Sequence, residues 1–338
     1  LGSAGKFDYP AHDGKKIQGS SGFDPGRMKK IISVLMLGLA ACSRTAPVVD
    51  QSRQVVVITD DKTDLELPLR SLLERGGPAS EPGLEFKLRF ESLENLERVS
   101  KTRTLLIIGT MNDDPIRALI GNALKDTFAL FQLKDHWVKD QLVLILVAQN
   151  EGNLVPALEH YGARIIYTLR GDFLARLRAL TYNQGYNKQL SAELKKNYGF
   201  SFEVPFGFTP VKTDTTRHFI SLVARNPERK IFVYWQSRIP SGLNLTALRD
   251  SLTGQFYNGD TIERDAVAAE TTKFLDSSAV FISGIWQTAQ AVIGGPFISY
   301  GFNYGTRFYY IDGALSSPDI SRLDYIKQLE IILETFKP

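Results

Sequence analysis

Two stretches constrain the fold of this chain more than any others: Leu105-Leu106-Ile107-Ile108 and Leu142-Val143-Leu144-Ile145-Leu146-Val147. Neither alternates apolar with polar residues as a strand with one wet face does, and neither has the length of an ordinary helix. Unbroken apolar runs of this kind suit central strands covered on both faces. Around them, Gln54 to Thr59 is β-branched and bounded by Asp60-Asp61, the mark of a strand. Asp64 is placed to cap a helix through Leu65, Leu69, Leu72 and Leu73 to Gly76-Gly77. Pro78 and Glu81-Pro82-Gly83 read as a turn, after which Leu84, Phe86, Leu88 and Phe90 alternate with Glu85, Lys87 and Arg89. From Leu154 to Tyr198, Leu158, Ile165, Ile166, Leu169, Phe173, Leu177 and Leu180 recur at helical spacing. These patterns predict an N-terminal α/β domain over residues 53–199.

The texture changes at Phe200. Phe200 to Val204, Phe219 to Ala224, Ile231 to Gln236, Val280 to Ile282, Phe297 to Phe302 and Arg307 to Ile311 read as strands. A last helix is expected from about Asp319 to Phe336, with Leu323, Ile326, Leu329, Ile332 and Leu333 on one stripe. Strands in series closed by one long helix predict a C-terminal α+β domain, residues 200–338, built on an antiparallel sheet. In pattern this is similar to the PsbP/Mog1 type of sandwich. No repeat of fixed period is present.

The one cysteine is Cys42. Alone, it excludes internal disulfides, a Cys-x-x-Cys redox pair and a multi-cysteine zinc site. Its surroundings suggest another use. Met28-Lys29-Lys30 is a positive start, and Ile31 to Leu39 is an apolar run shorter than the about 20 residues that span a bilayer. Ala40-Ala41-Cys42 then completes the order of a secretory signal. Leu39-Ala40-Ala41-Cys42 resembles the bacterial lipobox, in which the cysteine sulfur takes a diacylglyceryl group and becomes the new amino terminus. Residues 28–41 are accordingly expected to be a lipoprotein signal peptide and residues 42–52 a lipidated tether, with the membrane as partner through lipid on Cys42. Residues 1–27 open on Leu1 and lack apolar periodicity; they are expected to stand outside the native protein, with Met28 as its first residue. Ser43 follows the cysteine and no acid appears before Asp50. By analogy with lipoprotein sorting this favours the periplasmic face of the outer membrane over the inner membrane.

The net charge of +3 arises before Cys42, where Lys6, Lys15, Lys16, Arg27, Lys29 and Lys30 outnumber Asp8, Asp13 and Asp24. The remainder is neutral overall and lacks the basic excess that binding a phosphate backbone needs, so nucleic acid is not expected as a partner. After Cys42 there is no G-x-S-x-G, S-x-x-K, H-E-x-x-H or Walker loop. After Cys42 the histidines His136, His160 and His218 are far apart. Asp60-Asp61 and Asp113-Asp114 could hold a hard cation, but each stands where a helix begins, and capping is the expected role. No metal or cofactor is implied. Glu81 and Asp312 are the carboxylates that a hydrolase would use as acid and base.

One further segment stands out. Gly294-Gly295-Pro296 reads as a tight turn before a strand, or as bare backbone that a ligand could approach. Aromatic residues surround it: Trp286, Phe297, Tyr300, Phe302, Tyr304, Phe308, Tyr309 and Tyr310. Alternation puts Phe297, Ser299 and Gly301 on one face and Ile298, Tyr300 and Phe302 on the other. Packing is the favoured role for most of these rings. A ligand surface, if there is one, is expected to be framed by Trp286, Gly294, Gly295, Pro296, Phe297 and Tyr300.

Gly284-Ile285-Trp286, Gly294-Gly295-Pro296-Phe297-Ile298-Ser299-Tyr300, Ile311-Asp312-Gly313 and Tyr325-Ile326-Lys327-Gln328-Leu329-Glu330 together carry a resemblance. The chain resembles an uncharacterised family of Bacteroidetes lipoproteins, domain of unknown function forty-eight thirty-seven. Pro78 with Glu81-Pro82, and Trp137 with Gln141, extend the likeness over nearly the whole chain after Cys42. Ile293 stands where that family has Met, and Ser321-Arg322 where it has Lys-Arg. The resemblance implies address and fold and contributes no chemistry. The sequence therefore predicts a periplasm-facing, lipid-anchored, non-catalytic binding or structural module of the cell envelope, with an envelope protein or a small ligand as its partner. The alternative is an envelope hydrolase using Asp and Glu carboxylates.

Overall fold

The computed structural model describes residues 53–74, 86–238, 242–257, 259–288, 293–316 and 323–338. The expected signal and tether, the turn at Pro78 and Glu81-Pro82-Gly83, and the expected helix start at Asp319 lie outside the described residues.

The two apolar runs form neighbouring central strands. β1 (Gln54–Ile58), α1 (Lys62–Leu73), β2 (Lys87–Glu91), α2 (Leu96–Val99), β3 (Thr104–Thr110), α3 (Asp114–Ile120), β4 (Phe128–Lys134), β5 (Leu142–Ala148) and α4 (Leu154–Thr181) follow in sequence. The first sheet has the order β2-β1-β3-β5-β4; β4 is antiparallel to β5 and the other pairs are parallel. Every residue of β3 and β5 is buried. Val55, Val57, Leu106 and Ile108 face α1 and α4, whereas Val56, Ile58, Leu105 and Ile107 face Val99 of α2 and Ile116 of α3. This two-sided cover is what unbroken apolar strands require.

The helical pattern from Leu154 to Tyr198 is divided between two helices. α4 ends at Thr181, a turn with Gly185 at φ +78° follows, and α5 (Lys188–Tyr198) starts where the Asn187 side chain accepts from the Leu190 N–H. The expected strand Phe200 to Val204 is likewise corrected. Phe200, Phe202 and Val204 are buried, as their alternation implies, but this stretch pairs with no strand among the described residues. Ser201 instead exchanges both backbone bonds with Lys337.

The second sheet runs β6-β7-β8-β12-β11-β10-β9 and is antiparallel throughout. Its elements are β6 (Thr209–Asp214), β7 (Phe219–Ala224), β8 (Glu228–Ser237), α6 (Leu245–Phe256), β9 (Thr261–Phe274), β10 (Ser277–Gln287), β11 (Gly294–Tyr304) and β12 (Arg307–Ser316), with α7 (Leu323–Leu333) closing the series. This is the α/β plus α+β architecture that the sequence predicts. β6 and β9 were not expected. Both are edge strands of mostly exposed polar residues, a composition that hides the periodicity of a strand and discourages edge-to-edge pairing.

α7 packs on both sides. Ile326, Leu329, Ile332 and Leu333 enter the core of the second sheet, while Ile331 enters the core shared with α4 and the first sheet. At its start, Asp324 pairs with Arg53, just before β1, at 3.0 Å with both side chains buried. Because one helix completes both cores, Leu329→Ala should lower stability by about 2–5 kcal/mol, as buried Leu truncations do. Urea melts followed in both sheets should shift together; a shift confined to the second sheet would contradict the shared core.

Candidate functional site

α6 lies across one face of the second sheet. Its first turn is set by Asn244, whose side chain accepts from the Ala247 N–H at 3.0 Å. Leu245, Arg249, Leu252 and Phe256 form its buried stripe, and one member of that stripe is an arginine. At one end Phe256 stacks on Phe219 with centroids 3.8 Å apart. At the other, Leu245 occupies the space over Gly301, where a Cβ would lie 2.5 Å from Leu245 Cδ1. Between them Arg249 Nε donates to Asp312 Oδ2 at 2.7 Å, and both side chains are at most 2% exposed. Ser299, opposite Asp312 on the next strand, donates its hydroxyl to the same oxygen at 2.7 Å. The Arg249 guanidinium also sits 3.8 Å from the centre of the Phe297 ring.

The polar groups of this layer are incompletely matched. Arg249 Nη1, Asp312 Oδ1, Ser221 Oγ and the hydroxyls of Tyr257 and Tyr310 are buried without a hydrogen-bond partner among the described residues. Tyr310 stands close to Ser299, and Tyr257 close to Ser221, but neither pair has the geometry of a bond. Burial, reinforced by the Asp312 charge, pushes both phenols above their ordinary range, so they remain donors. Leaving one such group unmatched costs about 1–3 kcal/mol. Beside the start of α6 the same face is open, as a cavity of about 420 Å³ lined in part by Arg238, Leu243, Leu245, Val280, Gly301 and Phe308.

The residues singled out from sequence are distributed around this layer. Trp286 is 1% exposed on the α6 face, with Nε1 donating to the Leu315 carbonyl at 3.1 Å. Lys230 Nζ lies 4.7 Å above the Trp286 ring and 5.0 Å from the ring of Tyr257. Lys230 also approaches Glu228 at 3.5 Å and Asp260 at 3.6 Å; burial raises the Asp260 carboxyl, and the ammonium opposes the shift. Phe297 shares the face with Trp286. Tyr300 is on the opposite face, against Phe274 and Phe281. Gly294-Gly295-Pro296 does not precede the strand as a turn; it begins β11 itself, opposite Gln287, Trp286 and Ile285. A Cβ on Gly294 would lie 2.5 Å from the Trp286 carbonyl, so the close backbone approach there requires glycine. Cys42 and Glu81 lie outside the described residues.

Arg249, Tyr257, Ser221 and Lys230 were not among the sequence candidates. Arg249 did carry a signal: it stands four residues after Leu245 and three before Leu252, inside an apolar stripe. Trp286→Ala should cost about 3–5 kcal/mol, the range for large aromatic core truncations, and a denaturant melt measures it. A loss under about 1 kcal/mol would mean that the ring does not pack as described.

A second polar concentration lies at the carboxyl ends of β1, β3 and β5. Burial raises the Asp61 carboxyl above its usual value of 3.8, and the charges of Glu151, Asp113, Asp60 and Asp64 add to the effect. Asp61 and Asp113 occupy the N-cap positions of α1 and α3, as expected of capping acids, yet neither side chain makes a capping bond. Asp113 Oδ2 accepts from the Thr110 N–H instead, and Asp60 Oδ1 from Ser92 and Leu93. Among the described residues no group of His, Cys, Asp and Glu is arranged to hold a metal ion. His136, His160 and His218 each lie against an aromatic ring. A raised folded-state pKa gives stability that is present at acid pH and lost as pH rises through it. Asp61→Asn should therefore raise the urea midpoint near neutral pH, with no gain below about pH 3.8. An equal effect at both pH values would remove the electrostatic explanation.

Residues 187–335, which hold the whole second sheet with α5, α6 and α7, match the family described as domain of unknown function (DUF4837). Pro78, Glu81-Pro82, Trp137 and Gln141 lie outside that span. Gln141 is buried and bonded to Ser100, Thr102 and Trp137, a structural role. No curated protein matches the chain. A crystal structure from Bacteroides thetaiotaomicron VPI-5482 is similar at 11% identity, over 41% of this chain and 44% of that one, with a TM-score of 0.26. The chain thus spans less than half the length of that solved protein.

Proposed function

We propose that the chain is a lipid-anchored, non-catalytic binding module of the bacterial envelope, held at the periplasmic face of the outer membrane. The observation that carries the anchor is Leu39-Ala40-Ala41-Cys42 behind a positive start and a short apolar run. Lipid on Cys42 with two or three acyl chains gives stable attachment where one chain is marginal. β1 begins at Gln54, so only a short tether separates the thiol from the folded body. No helix among the described residues is long and apolar enough to cross a membrane.

The binding reading has more support than the hydrolase reading. Asp312, the carboxylate that a hydrolase would use, is 1% exposed beneath α6 and is held by Arg249 and Ser299. The acid–base reading needs two carboxylates, and Oδ2 of Asp312 is already committed to Arg249 and Ser299. The open cavity beside α6 has the size of a small-molecule site, for which about 300–1,000 Å³ is usual. The partner is a small ligand at that cavity or another envelope protein. In cells fed labelled palmitate, the wild-type chain should take up label and Cys42→Ala should take up none. Equal labelling of the two would defeat the anchor.

A further inference from the structure

Three features of the layer beneath α6 exceed what packing needs. First, α6 is flanked by Gly242 at φ +98° and Gly259 at φ +91°. Both are left-handed positions, where glycine, lacking a Cβ, has the widest choice of backbone angles. Second, the unmatched polar atoms lie on both sides of the joint. Arg249 Nη1 belongs to the helix and Tyr257 directly follows it, while Ser221, Tyr310 and Asp312 belong to the sheet. Water would satisfy each of them if α6 lifted, which offsets part of the apolar burial lost. Third, the open cavity leads to this layer. Leu245, Gly301 and Phe308 line the cavity; Arg249 is the next turn of the same helix, and Ser299 and Tyr310 are the next residues on that face of β11 and β12.

We propose that α6 is a hinged lid and that the sheet face beneath it binds a small, uncharged, hydroxyl-rich ligand of the sugar class. This rests on the small-ligand branch of the binding-module reading and names its site. The charge of Arg249 is already balanced by Asp312, so a charged ligand would bury an uncompensated charge there. An uncharged one does not. The free positions comprise one donor on Arg249, one acceptor on Asp312 and three hydroxyls that do either. A sugar hydroxyl also does either. Phe297, Phe232 and Phe308 on the same face offer rings for the C–H side of such a molecule.

Hydrogen exchange of the full chain tests both halves of the proposal. Amides of α6 should exchange faster than those of β11 and β12, at a rate that dilute denaturant does not change, as local opening requires. Gly301→Ala places a methyl group against Leu245 and should speed α6 exchange about tenfold, because overpacking favours the open state. Glucose, galactose, mannose and N-acetylglucosamine, each at high millimolar concentration, are the probes. At least one should slow α6 exchange, and Tyr310→Phe should weaken that protection at least about tenfold, as losing a hydrogen bond in a site built for it does. If α6 exchanges only through global unfolding, there is no lid. If all four sugars leave α6 exchange unchanged, the ligand class is wrong. Lipid labelling at Cys42 is read separately, so the anchor and the lid stand or fall independently.

Discussion

Everything in this molecule depends on burying α7 from two directions at once. A helix on the surface of a domain needs one apolar stripe, but α7 presents Leu329 and Ile332 to the second sheet and Ile331 to the core of the first. Each fully buried Leu or Ile contributes about 1.5–3 kcal/mol, so removing α7 would take four such residues from the second sheet and one from the first. The polar residues of α7 are fitted to the same constraint. Asp324 meets Arg53, and Lys327 reaches Glu330 one turn on. Charges in such a helix are tolerated only when paired, because an isolated buried charge is far costlier than the packing it replaces.

The two faces of the second sheet are therefore built to different standards. On the α7 side the core is a continuous set of rings and branched chains: Phe200, Phe202, Phe302, Tyr309 and Phe336 contact one another edge to face or stacked. On the α6 side an ion pair and several hydroxyls replace part of that packing. A buried ion pair contributes less to stability than apolar residues of the same volume, while breaking it costs about 3–5 kcal/mol. The α6 layer thus gives up stability in return for a fixed arrangement of polar atoms, the opposite of what the α7 layer does.

The sequence made these layers unequally legible. β3 and β5 were readable because strands covered on both faces carry an unbroken apolar run. α7 was readable from its stripe, though its second buried side, at Ile331, was not. The alternation of Phe200, Phe202 and Val204 reported burial correctly and pairing wrongly, since period two describes which way side chains point and not whether a neighbouring strand exists. β9 was invisible because an edge strand buries little; only Ile262 and Phe274 are buried along it. At the site, Asp312 was noticed for its charge, but its partner Arg249 is 63 residues away, and no local pattern reports a contact at that distance. The rings around Gly294-Gly295-Pro296 were seen as a group, yet the pleat divides them: Trp286 and Phe297 face α6, and Tyr300 faces away.

The strand order carries one more consequence. β12 lies between β8 and β11, and Glu228 of β8 meets Ser316 of β12 across 88 residues of chain. Until β12 is made, β8 and β11 each expose an unpaired edge, and the hairpins β7-β8 and β10-β11 have nothing to join them. α7 comes later still, so neither sheet has its full cover until that helix has been made. Folding of the second sheet consequently waits until β12 has been synthesised. A chain halted before Arg307 would leave two sticky half-sheets, a better substrate for chaperones and proteases than a partly working domain.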